Sequence, residues 1–290
     1  METIFLKLGG SIITDKRQAE HACVDVIHRL AREVRSARET RPDMRLVMGH
    51  GSGSFGHAVA ARYGTRDGVR DAAGWLGYAE VAASAARLNQ IVTDIFVEER
   101  VPVVSLPPSA SARCEDGRLV SLDVAVFRAL LENRLVPLVY GDVAIDASRG
   151  ATILSTEDVF AYLASEIEPD RVLLAGEAAG VYPKADMTGE LISLITPNTV
   201  GQFAVALGGS HGFDVTGGMA AKVRQMIEWV RAHPRTSARI FSAADAGALE
   251  RVLIDPEAQV GTLIRVDTQD SAVSGKLISA SEMGSGPLQE

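Results

Sequence analysis

The sequence predicts an α/β protein, a three-layer αβα sandwich around a mostly parallel central sheet. Two observations carry that expectation. Short apolar runs of strand length alternate along the chain with longer stretches at helical spacing, the pattern of helices covering both faces of one sheet. Glycine-rich turns follow such runs or open a helix at residues 9–10, 49–56 and 217–218. At 290 residues, 47% hydrophobic and 23% charged, the chain is long enough for a sizeable core in one large domain or two lobes.

Taken in order, Ile4-Phe5-Leu6 reads as a central strand, with Lys7 flanked by apolar residues as in a strand buried on both faces. Leu8-Gly9-Gly10-Ser11 then turns the chain, and Asp15-Lys16 follow in the loop. A lysine beside a glycine pair at a strand's carboxyl end lies where open α/β sheets bind ligands. Over residues 19–38, Val24, Ile27, Leu30, Ala31 and Val34 recur at helical spacing, so a packing helix is expected, with His21 and His28 on its surface. Leu46-Val47-Met48 is the second strand.

That strand runs into Gly49-His50-Gly51-Ser52-Gly53-Ser54-Phe55-Gly56-His57. Glycines let the backbone approach a ligand closely, and successive free N–H groups form an anion-binding nest. His57 adds a side chain that donates a hydrogen bond or carries charge near neutral pH. A phosphate cradle is one reading of this stretch, and a plain turn is an equal one on these residues alone.

Residues 72–98 read as a long helix with Gly74 and Gly77 as potential breaks. Its many alanines suit close core packing; the sharper alternative is that Ala82, Ala83 and Ala86 leave room for an apolar ligand. Strands are expected at 101–104 and 136–140, a helix at 122–133, and a β-hairpin over 143–154. Ser155 caps the next helix with Asp158 three residues on, in the manner of a capping box. Asp158 therefore has a structural explanation before any functional one. Residues 171–175 form a strand that ends in Gly176-Glu177-Ala178-Ala179-Gly180-Val181-Tyr182. Asp214-Val215-Thr216-Gly217-Gly218-Met219 leads into a helix reaching about residue 232. Glycines at a helix start leave N–H groups open to an anion, and Lys222 can reach back over that terminus. Residues 238–241 and 261–266 are closing strands around a short helix at 246–253. The Ser/Gly-rich tail after Asp267 is expected to be poorly ordered.

Composition excludes several function classes. The net charge is -8 without any basic run, which argues against a nucleic-acid surface. An acidic protein that binds phosphates must concentrate its cations locally, so Lys7, Lys16 and Lys222 beside glycine turns are informative. Cys23 and Cys114 have neither metal-ligand spacing nor a disulfide framework, which suits a reducing, cytoplasmic compartment. No signal peptide is apparent, and no stretch reaches the ~20 apolar residues of a membrane span.

The set Lys7-Leu8-Gly9-Gly10-Ser11, Gly49-His50-Gly51-Ser52-Gly53, Gly141-Asp142 and Thr216-Gly217-Gly218-Met219 with Lys222 resembles the amino acid kinase superfamily. The likeness extends from Ile4 to Gly261-Thr262-Leu263-Ile264. Within the superfamily, Gly53-Ser54-Phe55-Gly56-His57 looks like the branch that acts on isopentenyl phosphate, as do Asp15-Lys16 and Asp214-Val215-Thr216-Gly217-Gly218-Met219. Fosfomycin kinases share the loop type and are the nearest competitor.

The resemblance implies the amino acid kinase fold, and transfer of a phosphoryl group from ATP, with Mg²⁺, to isopentenyl phosphate or a related alkyl monophosphate. It also implies a homodimer. An acceptor lobe is expected over residues 1–168, a nucleotide lobe over 169–267 and a tail over 268–290. By similarity, Lys7, Lys16, His57 and Lys222 belong to the catalytic set, to which Asp158 is added as the residue orienting the lysines. Ser52, Gly56, His57, Ser155 and Thr156 would hold the acceptor. The nucleotide would be held by Lys7, Gly9, Gly10, Ser11, Gly53, Glu177, Gly180, Tyr182, Gly217, Gly218 and Lys222. No protein metal ligand is expected. One departure stands out: the family's Asp-Val-Asp-Gly pattern is replaced by Glu177-Ala178-Ala179-Gly180. It is the one feature that supports a different class, a non-catalytic nucleotide sensor.

Overall fold

The computed structural model describes residues 1–184, 189–203 and 217–267, without the side chains of residues 57, 58 and 203. The first half runs β1 (Thr3–Leu8), α1 (Gly10–Ile13), α2 (Val24–Thr40), β2 (Arg45–His50), α3 (Gly53–Tyr63), α4 (Ala72–Glu98), β3 (Val103–Ser105), β4 (Arg113–Glu115), β5 (Arg118–Ser121), α5 (Val124–Glu132) and β6 (Val136–Tyr140). The second runs β7 (Asp142–Asp146), β8 (Gly150–Leu154), α6 (Thr156–Glu166), β9 (Arg171–Gly176), β10 (Leu194–Ile195), α7 (Gly217–Ala232), β11 (Ser237–Ser242), α8 (Ala248–Ile254) and β12 (Thr262–Ile264).

Eight strands form one sheet in the order β10-β12-β11-β9-β1-β2-β6-β3. Its neighbouring pairs are parallel except β11 with β12. The central strand shows why the chain forms three layers. Side chains alternate along a strand, so Ile4, Leu6 and Leu8 enter one core with Leu30 of α2, Phe96 of α4 and Leu253 of α8. Phe5 enters the opposite core with Phe160 of α6 and Met226 of α7. The expected αβα sandwich is the observed one. Lys7 shares the parity of Phe5 and emerges on the α6–α7 side.

A second, four-stranded sheet, β5-β4-β7-β8, includes the expected hairpin, with Asp142 opposite Leu154. Strands β4 and β5 have 3 and 4 residues, too few for an alternation to show in sequence. Gly74 and Gly77 do not break α4: Asp71 caps the helix by accepting the Gly74 N–H at 2.8 Å. Helix α2 starts at Val24, the first residue of its apolar pattern and later than the expected start at residue 19. The residues before it form a strap closed by a bridge between Thr14 and Ala22. The glycine stretch after β2 is also shorter than expected, because residues from Gly53 onward continue as helix α3. Asp214, Val215 and Thr216 lie outside the described residues.

Strand ends hold the loops that matter. The Gly9 N–H donates to the Ala175 carbonyl at 2.7 Å, Gly51 to Leu8 at 3.0 Å and Gly141 to His50 at 3.1 Å. The carboxyl ends of β1, β2, β6 and β9 are thereby tied into one rim.

Candidate active site

A cleft of about 660 Å³ opens on that rim, the position where open α/β sheets bind ligands. Its floor is the meeting of two glycine turns. A Cβ on Gly10 would lie 2.7 Å from the Gly53 Cα, so the turns touch only because side chains are missing. Gly53 itself has a left-handed φ of 51°, which glycine adopts without steric cost. Thr14 joins the two: its hydroxyl donates to the Gly10 carbonyl at 2.7 Å and accepts the Ser54 N–H at 3.0 Å.

A smaller pocket of about 170 Å³ adjoins the cleft and reaches Glu177, Ala178, Met219 and Phe241. Both cavities are lined by Lys7, Gly9, Ser11, Glu157 and Lys222. These residues form the wall shared by the two cavities, and the wall is charged. Lys7 pairs with Glu157 at the start of α6, and the two side chains are 13% and 10% exposed. Burial alone would push the Glu157 carboxyl up. The Lys7 ammonium, through charge and hydrogen bond, holds it below the ordinary carboxylate value. Lys222 is lowered from the ordinary lysine value by burial first and by the Lys7 ammonium next, with Glu157 opposing and Lys16 adding to the fall. Lys7 and Lys222 therefore share one carboxylate, with Lys16 close enough to act on Lys222, an excess of positive charge that an anion relieves.

Most of the residues singled out from sequence meet here. Lys7, Gly9, Gly10, Ser11, Lys16, Ser52, Gly53, Gly56, Ser155, Thr156 and Lys222 line the cleft, and Glu177 lines the smaller pocket. Gly217 and Gly218 are the first residues of α7. The His57 side chain lies outside the described residues. Gly180 and Tyr182 line neither cavity; their segment is tied to β12 by the Val181 N–H, which donates to the Thr262 hydroxyl at 2.8 Å. Asp158 requires a correction. It completes the expected capping box, accepting the Ser155 N–H at 2.9 Å, and the carboxylate that meets Lys7 is Glu157. Burial of the salt bridge partner decided this, and capping chemistry in the sequence pointed only to its neighbour.

Two further residues have roles that sequence reading did not assign. His50 is fully buried at the end of β2, stacked on Tyr140 with ring centroids 5.6 Å apart. Burial lowers its pKa and keeps it neutral, so it supports the cradle from beneath; its Nδ1 lies 3.1 Å from the Gly51 carbonyl. The Thr156 hydroxyl donates to the His50 carbonyl at 2.7 Å, which fixes α6 to the same strand end. Asp142 lines the cleft but accepts the backbone N–H groups of Ser109 at 3.0 Å and Val143 at 2.8 Å. Burial pushes its carboxyl up. It holds a corner of the wall.

The apolar part of the cleft lining is Ala60, Ala61, Val81, Ala85 and Ile153, and Arg66 and Asp67 also line the cleft. The alternative reading of α4, with room for a ligand at Ala82, Ala83 and Ala86, names the right helix and another face. Ala83 and Ala86 are exposed and Ala82 is half-buried, whereas Val81 and Ala85, one turn apart on α4, face the cleft.

The amino acid kinase family model matches residues 2–242. The chain is 33% identical over 271 residues to an isopentenyl phosphate kinase of Methanothermobacter thermautotrophicus, covering 90% of this chain and 98% of that one. It is 40% identical over 230 residues to the isopentenyl phosphate kinase of Haloferax volcanii, covering 78% and 88%. Among solved structures, an isopentenyl phosphate kinase superposes with a TM-score of 0.75 at 30% identity, over 91% of this chain and 100% of that one. A product complex of the Thermoplasma acidophilum isopentenyl phosphate kinase gives 0.69 at 26% identity over 91% and 100%.

Proposed function

The chain belongs to the amino acid kinase family, and from that premise we infer that it phosphorylates isopentenyl phosphate to isopentenyl diphosphate, a step of isoprenoid precursor synthesis. The donor is ATP. The observation that carries this reading is the shared wall: two cavities, one with a partly apolar lining, meet at Lys7, Glu157 and Lys222. A phosphoryl group passing between occupants of the two spaces would cross there.

The chemistry asks little covalent work of the protein. An acceptor phosphate oxygen forms a bond to the γ-phosphorus of ATP, the bond to the β,γ-bridging oxygen breaks, and ADP leaves. The acceptor is already anionic, so no strong base is needed; the obstacle is repulsion between two anions. Lys7 and Lys222, both largely withdrawn from water, neutralise that charge together with the exposed Lys16. Glu157 keeps Lys7 aimed at the wall. Backbone N–H groups of the glycine turns, with Ser52 and His57, cradle the acceptor phosphate, and Ala60, Val81, Ala85 and Ile153 receive the alkyl chain. Glu177 and the first turn of α7 flank the nucleotide. Among the described residues no cluster of His, Cys, Asp or Glu is suited to hold a metal. Mg²⁺ would enter with the substrate, carried by the ATP phosphates.

The apolar part of the cleft favours an alkyl phosphate over the small polar fosfomycin, and the intact lysine set argues against a sensor. No helix among the described residues is long and apolar enough to cross a membrane. The test is a coupled ADP-release assay with ATP and Mg²⁺, offering isopentenyl phosphate and fosfomycin in parallel, with His57→Ala as control. Turnover of isopentenyl phosphate that is lost in the variant is the expected result. Turnover of fosfomycin alone would move the acceptor assignment, and ATP binding without turnover of either would reject it.

A further inference from the structure

We infer that the edge of the large sheet opposite the catalytic cleft carries a second binding site, for an amphiphilic anion: an alkyl chain with a phosphate or diphosphate head. This goes beyond the proposed reaction and does not depend on it. Two adjoining grooves lie where β2, β3 and β6 begin. One, of about 290 Å³, is lined by Pro42, Met44, Leu46, Leu131 and Leu135. The other, of about 280 Å³, is lined by Arg35, Arg38, Arg41, Arg100 and Arg134. They share Arg38, Pro42, Met44 and Arg134, so the apolar residues of the first groove adjoin the arginines of both. Each groove lies near the ~300 Å³ lower bound of small-molecule sites, which suits a short chain and its head group.

The charge here is unusual for this molecule. With Arg45, which lines the apolar groove, the pair of grooves presents Arg35, Arg38, Arg41, Arg45, Arg100 and Arg134 against Glu39, Asp43 and Glu132, in a chain of net charge -8. Arg35 and Arg41 have carboxylate partners. Arg38, Arg45, Arg100 and Arg134 have none among the described residues; Arg38 donates to the Arg134 carbonyl at 2.8 Å. The Arg45 Nε is buried without a hydrogen-bond partner among the described residues.

The backbone adds an independent observation. Arg100 and Arg134 have left-handed φ values of 64° and 58°. Each lies two residues past the last residue of its helix, Glu98 of α4 and Glu132 of α5. Glycine is the ordinary residue at such helix ends, because a Cβ there is strained. The carboxyl ends of α2, α4 and α5 converge on these grooves, and one cation at each would complement its helix dipole. That accounts for part of the positive charge and leaves the unpaired remainder, two arginines of it at strained positions. Guanidinium forks suit phosphate oxygens.

The test uses the full chain and geranyl diphosphate as probe, with inorganic diphosphate, geraniol and phosphatidic-acid vesicles beside it. Hydrogen exchange locates the probe and calorimetry measures its affinity. Protection of residues 35–46, 98–104 and 131–137 is expected, in addition to any at the cleft. Inorganic diphosphate should bind at least about tenfold more weakly and geraniol not measurably, since both head and chain contribute. The double variant Arg100→Gly, Arg134→Gly should lose at least about tenfold in affinity, with turnover unchanged and no fall in melting temperature. Protection confined to the cleft would overturn the proposal. So would equal affinity for inorganic diphosphate, unchanged affinity in the variant, or binding to vesicles without binding of the soluble probe.

Discussion

Replacing Glu157 by glutamine leaves the Lys7 ammonium facing Lys222 without the carboxylate between them. The shape is kept, so the effect is electrostatic. Side-chain exposures of 13% and 10% place the pair near the protein interior. At an effective dielectric constant of about 20, a contact pair is worth roughly 4 kcal/mol before desolvation is subtracted. The carboxylate's own burial cost and water in the cleft reduce the loss to about 1–3 kcal/mol. For a chain of this size that is a fall of about 2–10 °C in the melting temperature of the ligand-free protein. Saturating ATP should narrow the gap, because its phosphates restore the missing negative charge. Turnover should fall about 10–100-fold, since Lys7 is no longer aimed. The pH sign follows from the lowered Glu157 carboxyl. A depressed folded-state pKa contributes stability that is present above the ordinary value of 4.5 and is lost as pH falls through the folded value. The two proteins should therefore converge in stability in acid. Differential scanning fluorimetry with and without ATP, together with steady-state kinetics, measures all of this. Equal melting temperatures without ligand and equal kcat would refute the role given to Glu157.

Asp158→Asn is the matched control: it weakens the α6 cap and should cost about 1 kcal/mol of stability, read by chemical denaturation, with turnover unchanged. A large drop in kcat there would return the orienting role to Asp158. Because Lys222 is lowered from 10.5 by burial and neighbouring ammonium groups, the alkaline limb of kcat/KM for ATP should lie below that value, and Lys222→Arg should move it upward. Superimposable pH profiles would reject the assignment. Ala85→Phe should fill the apolar part of the cleft, raising KM for isopentenyl phosphate at least about tenfold while leaving ATP affinity unchanged; comparing isopentenyl, geranyl and farnesyl monophosphates in the same assay measures how much chain the native cleft admits. Gly10→Ala places a methyl group against Gly53 and should destabilise the fold by about 1–3 kcal/mol, with unaltered thermal stability as the contrary result.

The periodicities and punctuation of the chain determined its layers. The alternation at Ile4-Phe5-Leu6, the helical spacing of Ile27, Leu30 and Val34, and the Ser155–Asp158 cap are local patterns, and local patterns survive in a one-dimensional string. The glycine turns, Lys7 and Lys222 were legible for the same reason: each sits near a strand end or helix start that its own neighbours mark. What brought them together was not local. Lys7 and Lys222 are far apart in sequence and share a wall only because β1 and α7 pack on the same face of the sheet. The choice of Glu157 over Asp158 turned on which of two adjacent carboxylates points inward, a rotation about the helix axis that both residue types tolerate. The apolar lining of the cleft turned on the same variable: α4 is alanine-rich around its circumference, so only its packing against α3 selected Val81 and Ala85. The arginine-lined grooves join the ends of three helices with the starts of three strands, a juxtaposition that the crossovers of the fold create and that no window of sequence contains.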